Sequence, residues 1–94
     1  MLYIVIAHDG TDSEAPARRQ RVREQHLEGI RPKAAAGTLQ VGGAILDAEG
    51  AMVGSALLVE AQDEPAVRAF LEDDIYYQSG VWQRFEIYPF KRAV

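Results

Sequence analysis

A chain of 94 residues with 48% hydrophobic and 26% charged side chains can close one hydrophobic core and no second, so a single domain over 1–94 is expected. Its net charge of -4 argues against an electrostatic hold on nucleic acid, and the absence of cysteine removes disulfides, thiolate metal sites and cysteine nucleophiles. The 2 histidines lack HxxH spacing and Met1–Ala7 is too short to cross a bilayer and has no basic leader, so neither a metal, a cofactor nor a membrane is expected, and a cytoplasmic protein is.

Leu2-Tyr3-Ile4-Val5-Ile6-Ala7 is β-branched and aromatic and predicts a strand, ending in a His8-Asp9-Gly10 turn. It does not alternate polar with apolar residues, so both of its faces should be covered.

After the polar loop Thr11–Glu14, a helix is predicted from about Ala15 to Ala36, capped by Asp12 or Ser13 and stopped by Gly37. Pro32 should kink or break it near Gly29-Ile30-Arg31, because an interior proline removes a backbone bond and crowds the preceding turn. At 100° per residue Arg23 lies about 60° from His26 and Arg19 about 20°, so all three side chains leave from roughly one side. Val22 and Ile30 fall about 40° to either side of His26, which places the imidazole on or beside the buried stripe. Histidine is the usual side chain for moving protons near neutral pH. Arg18, Arg19, Arg21, Arg23 and Arg31 make this helix basic, mainly as a solvated face.

Thr38–Leu46 and Ala51–Glu60, joined by Asp47-Ala48-Glu49-Gly50, predict an antiparallel hairpin. Gly42, Gly43 and Gly54 inside it mark bulges or points where a ligand or another backbone comes close. Asp63-Glu64-Pro65 starts a second helix with Ala66, Val67, Phe70 and Leu71 on its apolar face, ending near Asp73-Asp74. Ile75–Gly80 reads as a loop and Val81–Tyr88 as the last strand, closed by Pro89-Phe90-Lys91.

The order βαββαβ suits a ferredoxin-like α+β fold, a four-stranded antiparallel sheet with two helices on one face. The other face is left without cover in so short a chain, and a second copy of the protein is expected to pack on it, giving a homodimer.

The whole chain resembles the YciI-like (YCII-related) family of the dimeric α+β barrel superfamily. The likeness rests on Tyr3-Ile4-Val5-Ile6-Ala7, on Arg19, Arg23, His26 and Leu27, on Gly37, on Gly54-Ser55, on Asp74-x-Tyr76 with Gly80-Val81, and on Pro89-Phe90-Lys91. It implies a small homodimer with a pocket between helix and sheet, in a family that includes a dehydrochlorinase and whose members mostly have no established substrate. It also implies a histidine and an aspartate in catalysis, roles that fall on His26 and Asp74. The proline usual after that aspartate is Ile75 here, which makes the turn less rigid and Asp73 a competing partner; the spacing to Tyr76 and Gly80 favours Asp74.

A carboxylate bonded to one imidazole nitrogen fixes the tautomer and strengthens the other nitrogen as a base. Such a pair can take a proton from a carbon beside a carbonyl or from a phenol, which suits a cofactor-independent lyase or isomerase acting on a small anionic, aromatic or enol compound. Arg23 and Arg19 are candidates to hold the anion, Ser55 to hydrogen-bond it, and Tyr76 and Trp82 to line the pocket with Tyr77 nearby. His8 lies outside this set, and turn chemistry accounts for Asp9. The alternative is a non-catalytic homodimer that binds a small ligand or a protein partner, with His26 and Asp74 bonded for structure alone. A haem-dependent oxygenase is weaker still, since no residue marks a haem ligand.

Overall fold

The apolar opening of the chain becomes an inner strand of the sheet. In the computed structural model, which describes residues 1–94, the elements run β1 (Leu2–Asp9), α1 (Ala15–Ala35), β2 (Leu39–Leu46), β3 (Met52–Glu60), α2 (Glu64–Glu72), α3 (Ile75–Gln78) and β4 (Trp82–Phe90). The sheet order is β2-β3-β1-β4, with β1 antiparallel to both neighbours and β2 antiparallel to β3. This is the expected ferredoxin-like α+β arrangement, with one helix more than expected.

Strand β1 keeps going where a turn was expected, through His8 to Asp9. Its side chains alternate strictly, with Tyr3, Val5, Ala7 and Asp9 buried and Leu2, Ile4, Ile6 and His8 half-exposed. An all-apolar strand thus supplies one set to the core and leaves the other on an open face. The core joins Tyr3, Val5 and Ala7 to Leu57 and Val59 of β3, Val67 and Leu71 of α2, Tyr76 of α3 and Trp82 of β4. Burying side chains of the Val, Leu and Tyr class is worth roughly 1.5–3 kcal/mol each, so this one layer carries most of the fold's hydrophobic stabilisation.

Helix α1 differs from expectation at its N-cap and at Pro32. Its N-cap is Glu14, which makes no side-chain cap bond; Asp12 instead holds Arg18 through both carboxylate oxygens. Nor does Pro32 break it, for the helix is continuous to Ala35 and the Ala36 N–H donates to the Pro32 carbonyl at 3.0 Å. The ring sits one turn after Glu28, and both Glu28 and Gly29 are exposed, so the carbonyl that loses its partner lies on a wet stretch of helix and the turn costs little. Gly37 ends the segment with φ at 85°, a backbone conformation that favours glycine.

The expected loop after α2 contains the short helix α3, started by the Asp74 side chain accepting from the Tyr76 N–H at 2.9 Å. Strand β4 runs on through Pro89 to Phe90, which is allowed because β4 is an edge strand and needs no second ladder partner. Gly54 marks a close backbone approach, since a Cβ there would lie 2.5 Å from the Ala7 carbonyl oxygen. The register shifts of β2 fall between Leu39 and Val41 and between Ile45 and Leu46, flanking Gly42 and Gly43 rather than coinciding with them.

Candidate active site

Helix α1 delivers Arg19, Arg23 and His26 to one side, as the angular spacing predicts, and that side faces β2, β3 and Tyr76 across a pocket of about 200 Å³. Ser55 and Leu57 of β3, with Gly42 and Ala44 of β2, form the sheet side. Gly42 is part of the reason there is space: a Cβ at this position would come within 3.1 Å of Leu39 and 3.2 Å of Leu57.

His26 Nδ1 lies 2.8 Å from Asp74 Oδ1. Both side chains are nearly enclosed, 11% and 4% exposed. A carboxylate can only accept, so Nδ1 carries a hydrogen, and in the neutral ring Nε2 then holds the lone pair. Asp74 faces a separate outer cleft with Lys33 and Asp73, whereas His26 borders both that cleft and the inner pocket. Nδ1 is the nitrogen turned to Asp74, and Nε2 lies across the ring from that contact. No protein group bonds Nε2, and it is not among the enclosed, partnerless atoms.

The same Asp74 Oδ1 accepts from His26 and from the backbone of Tyr76, and the Tyr76 ring stacks on the imidazole with centroids 3.8 Å apart and planes within 5°. One carboxylate oxygen thus fixes the orientation of both rings. Burial raises the Tyr76 phenol above its ordinary value, opposed in part by the positive charges of Arg19 and Arg23, so its hydroxyl stays protonated and able to donate. Asp73, the competing carboxylate, is exposed and pairs with Lys33 at 2.9 Å; that lysine holds it below the usual carboxylate range.

Arg19 lines the pocket already paired, and Trp82 lies off its wall. The Arg19 guanidinium is buried against Asp9, its Nη1 lying 2.9 Å from each carboxylate oxygen, and its Nη2 donates to Ser55 Oγ at 3.1 Å. Its charge is therefore already matched. It also lies over the Tyr76 ring, 4.8 Å from the centroid. Trp82 is not on the pocket wall; it packs edge-on behind His26 and Tyr76 and donates its indole N–H to Ser55 Oγ at 3.0 Å. Arg23, half-buried on the wall, has no ion-pair partner.

Asp9 is the site residue missed by the assignment to a turn. Extending the period of two from Tyr3, Val5 and Ala7 by one step would have put it on the covered face, where a carboxylate needs a cation. Tyr77 is exposed and stacks with Phe85, away from the pocket. No group of three or more His, Cys, Asp or Glu side chains converges as a metal site would require.

The YCII-related domain model matches residues 1–91. The chain belongs to that family. It is 32% identical over 97 residues to fusaric acid biosynthesis protein 2 of Gibberella moniliformis (strain M3125 / FGSC 7600), covering 95% of this chain and 91% of that one. Among solved structures it is similar to 5-chloro-2-hydroxyhydroquinone dehydrochlorinase from Burkholderia phenoliruptrix AC1100, in complex with 2,5-dihydroxybenzoquinone. That match has a TM-score of 0.84 and 25% identity over 99% of this chain and 96% of the other. A NIPSNAP domain protein from Burkholderia xenovorans shares the fold at a TM-score of 0.51 and 16% identity, over 99% of this chain and 96% of its own. No helix is long and apolar enough to cross a membrane.

Proposed function

We propose that this YCII-related protein is a cofactor-independent lyase or isomerase in which His26 Nε2 removes a proton from a small anionic ring or enol compound. The observation that carries the reading is the 2.8 Å contact between His26 Nδ1 and Asp74 Oδ1, which engages one ring nitrogen and leaves the other without a protein partner on a residue that lines the pocket. Asp74 holds the tautomer and stabilises the imidazolium that forms, while Tyr76 holds the ring in plane. Arg23 supplies the unmatched positive charge for the substrate anion.

The pocket volume sets the scale. A cavity of about 150 Å³ holds benzene, so about 200 Å³ suits one six-membered ring with small substituents. The similar dehydrochlorinase acts on a compound of that size, and elimination from a chlorinated hydroquinone begins with the kind of proton removal this dyad provides.

The open sheet face is proposed as the homodimer contact. Ile4 and Ile6 of β1, Leu58 of β3 and Tyr88 of β4 lie there together, half-exposed or exposed, and a matching face on a second copy would cover them.

The test is turnover of 5-chloro-2-hydroxyhydroquinone followed by chloride release. The wild type is expected to release chloride and His26→Ala to lose that release while keeping its circular dichroism and thermal transition. Equal release by the two proteins at equal folding would remove His26 from the chemistry.

A further inference from the structure

Ser55 Oγ is a hydroxyl with two lone pairs and one hydrogen. Arg19 Nη2 donates to it at 3.1 Å and Trp82 Nε1 donates to it at 3.0 Å. Neither donor can act as an acceptor, since a guanidinium and an indole N–H have no lone pair to offer. Both lone pairs of Ser55 are thereby occupied, and the hydroxyl hydrogen meets no protein acceptor even though the residue is buried, 3% exposed, on the pocket wall. A buried donor without a partner costs about 1–3 kcal/mol, a cost relieved when a ligand supplies the acceptor.

Resting on the proton-abstraction reading above, we infer that Ser55 is a donor-only group aimed at the substrate, so that the pocket selects compounds presenting a carbonyl or ionised oxygen to it. The arrangement is enforced from behind. Asp9 fixes Arg19 through both carboxylate oxygens, Arg19 and Trp82 fill the Ser55 lone pairs, and the hydroxyl hydrogen has one direction left. Asp9, Arg19 and Trp82 are positioning residues in this scheme, while Ser55 touches the ligand.

The chemistry balances without a further reactant. As the C–H bond beside a carbonyl breaks, the proton passes to His26 Nε2, its electron pair forms a new C=C bond, and the carbonyl π pair moves onto oxygen. That oxygen gains negative charge during the step, and a fixed donor strengthens its bond as the charge grows. A hydroxyl free to rotate and accept would not discriminate in this way. Arg23, on the same wall, adds positive potential, so that the pocket offers donors to an anion beside the His26 base.

The experiment compares two probes by NMR titration of the intact protein. 2,5-Dihydroxybenzoquinone is a vinylogous acid, ionised at neutral pH, with oxygens that accept; 1,4-dimethylbenzene is a ring of similar size with no acceptor. The wild type is expected to prefer the quinone. Ser55→Ala is expected to weaken quinone binding tenfold or more, leaving the dimethylbenzene affinity unchanged or higher. Equal weakening of both probes would assign Ser55 a structural role and overturn the proposal, as would quinone binding within twofold of wild type or no quinone binding by the wild type. The two readings separate in His26→Ala. If that variant keeps turnover while Ser55→Ala loses quinone affinity, the base assignment falls and the donor assignment stands; the reverse pattern sinks the donor assignment alone.

Discussion

The carboxylate of Asp9, at the last position of β1, and the guanidinium of Arg19, in the second turn of α1, meet at 2.9 Å with side-chain exposures of only 4% and 7%. Asp9 is the one carboxylate paired with Arg19, and Arg19 Nε is buried with no partner, so Asp9 carries the countercharge for a cation held out of water.

Removing that countercharge leaves Arg19 buried and uncompensated. Asp9→Ala is expected to destabilise the fold by about 3–5 kcal/mol, read as a shift in the urea midpoint at unchanged slope. A loss below about 1 kcal/mol would mean that Arg19 swings into solvent, contrary to its place over Tyr76.

Two substitutions at Asp74 separate its duties. Asn keeps an oxygen for the Tyr76 N–H and so preserves the start of α3, yet it cannot stabilise an imidazolium; turnover is expected to fall by roughly 10²–10⁴ with little change in stability. Ala removes the cap as well, costing about 1 kcal/mol more. Steady-state kinetics beside urea titrations of both variants check this, and equal turnover in Asp74→Asn and wild type would refute the dyad.

Asp73→Ala is the matched control. Its carboxylate is exposed and bonded to Lys33 across the surface, so neither turnover nor the thermal midpoint should move appreciably. A drop in turnover comparable to that of Asp74→Asn would reverse the assignment between the neighbouring aspartates.

Ile4 pairs across the sheet with Leu58 on one side and Tyr88 on the other. A charge at this point of the open face is expected to prevent association without unfolding the chain. Light scattering should give a dimer for the wild type and a monomer for Ile4→Lys, with matching circular dichroism; a monomeric wild type would refute the proposed contact.

Acid stability should depend on Glu86. Hydrogen bonds from His8 and then Tyr88 lower its carboxyl below the ordinary value in the folded protein. A depressed folded value means stabilisation that is full above the unfolded value, about pH 4.3, and is lost as pH falls through the folded one. The denaturation midpoint of the wild type should therefore fall more steeply below about pH 4.3 than that of Glu86→Gln. Parallel curves would show that the cluster contributes nothing.

Most of the architecture could be read from residue pattern, and so could the side of α1 that carries the site, because hydrophobic period and helix angle are local properties. Contacts across the fold are not local and leave no such signature. Arg19 and Arg23 look alike four residues apart on one helix, and only the depth of Asp9 distinguishes the neutralised guanidinium from the available one. Trp82 could be assigned to the aromatic cluster, but its place behind Ser55 depends on the register between β1 and β4, which slips at His8 and Asp9. Pro32 is a similar case: whether it breaks a helix depends on the surroundings of the carbonyl it orphans, which local pattern does not give.

The double use of Asp74 Oδ1 also bears on how this protein could change over evolutionary time. A substitution there would move the helix start and the imidazole together, so the α1–α3 side of the pocket resists piecemeal variation. Gly42, Gly43, Ala44 and Met52 line the same pocket without a side-chain bond to any of these groups. New specificities would be expected to arise by changing Ala44, which pairs with Ser55 across the sheet, and Met52, with the His26–Asp74 half inherited unchanged.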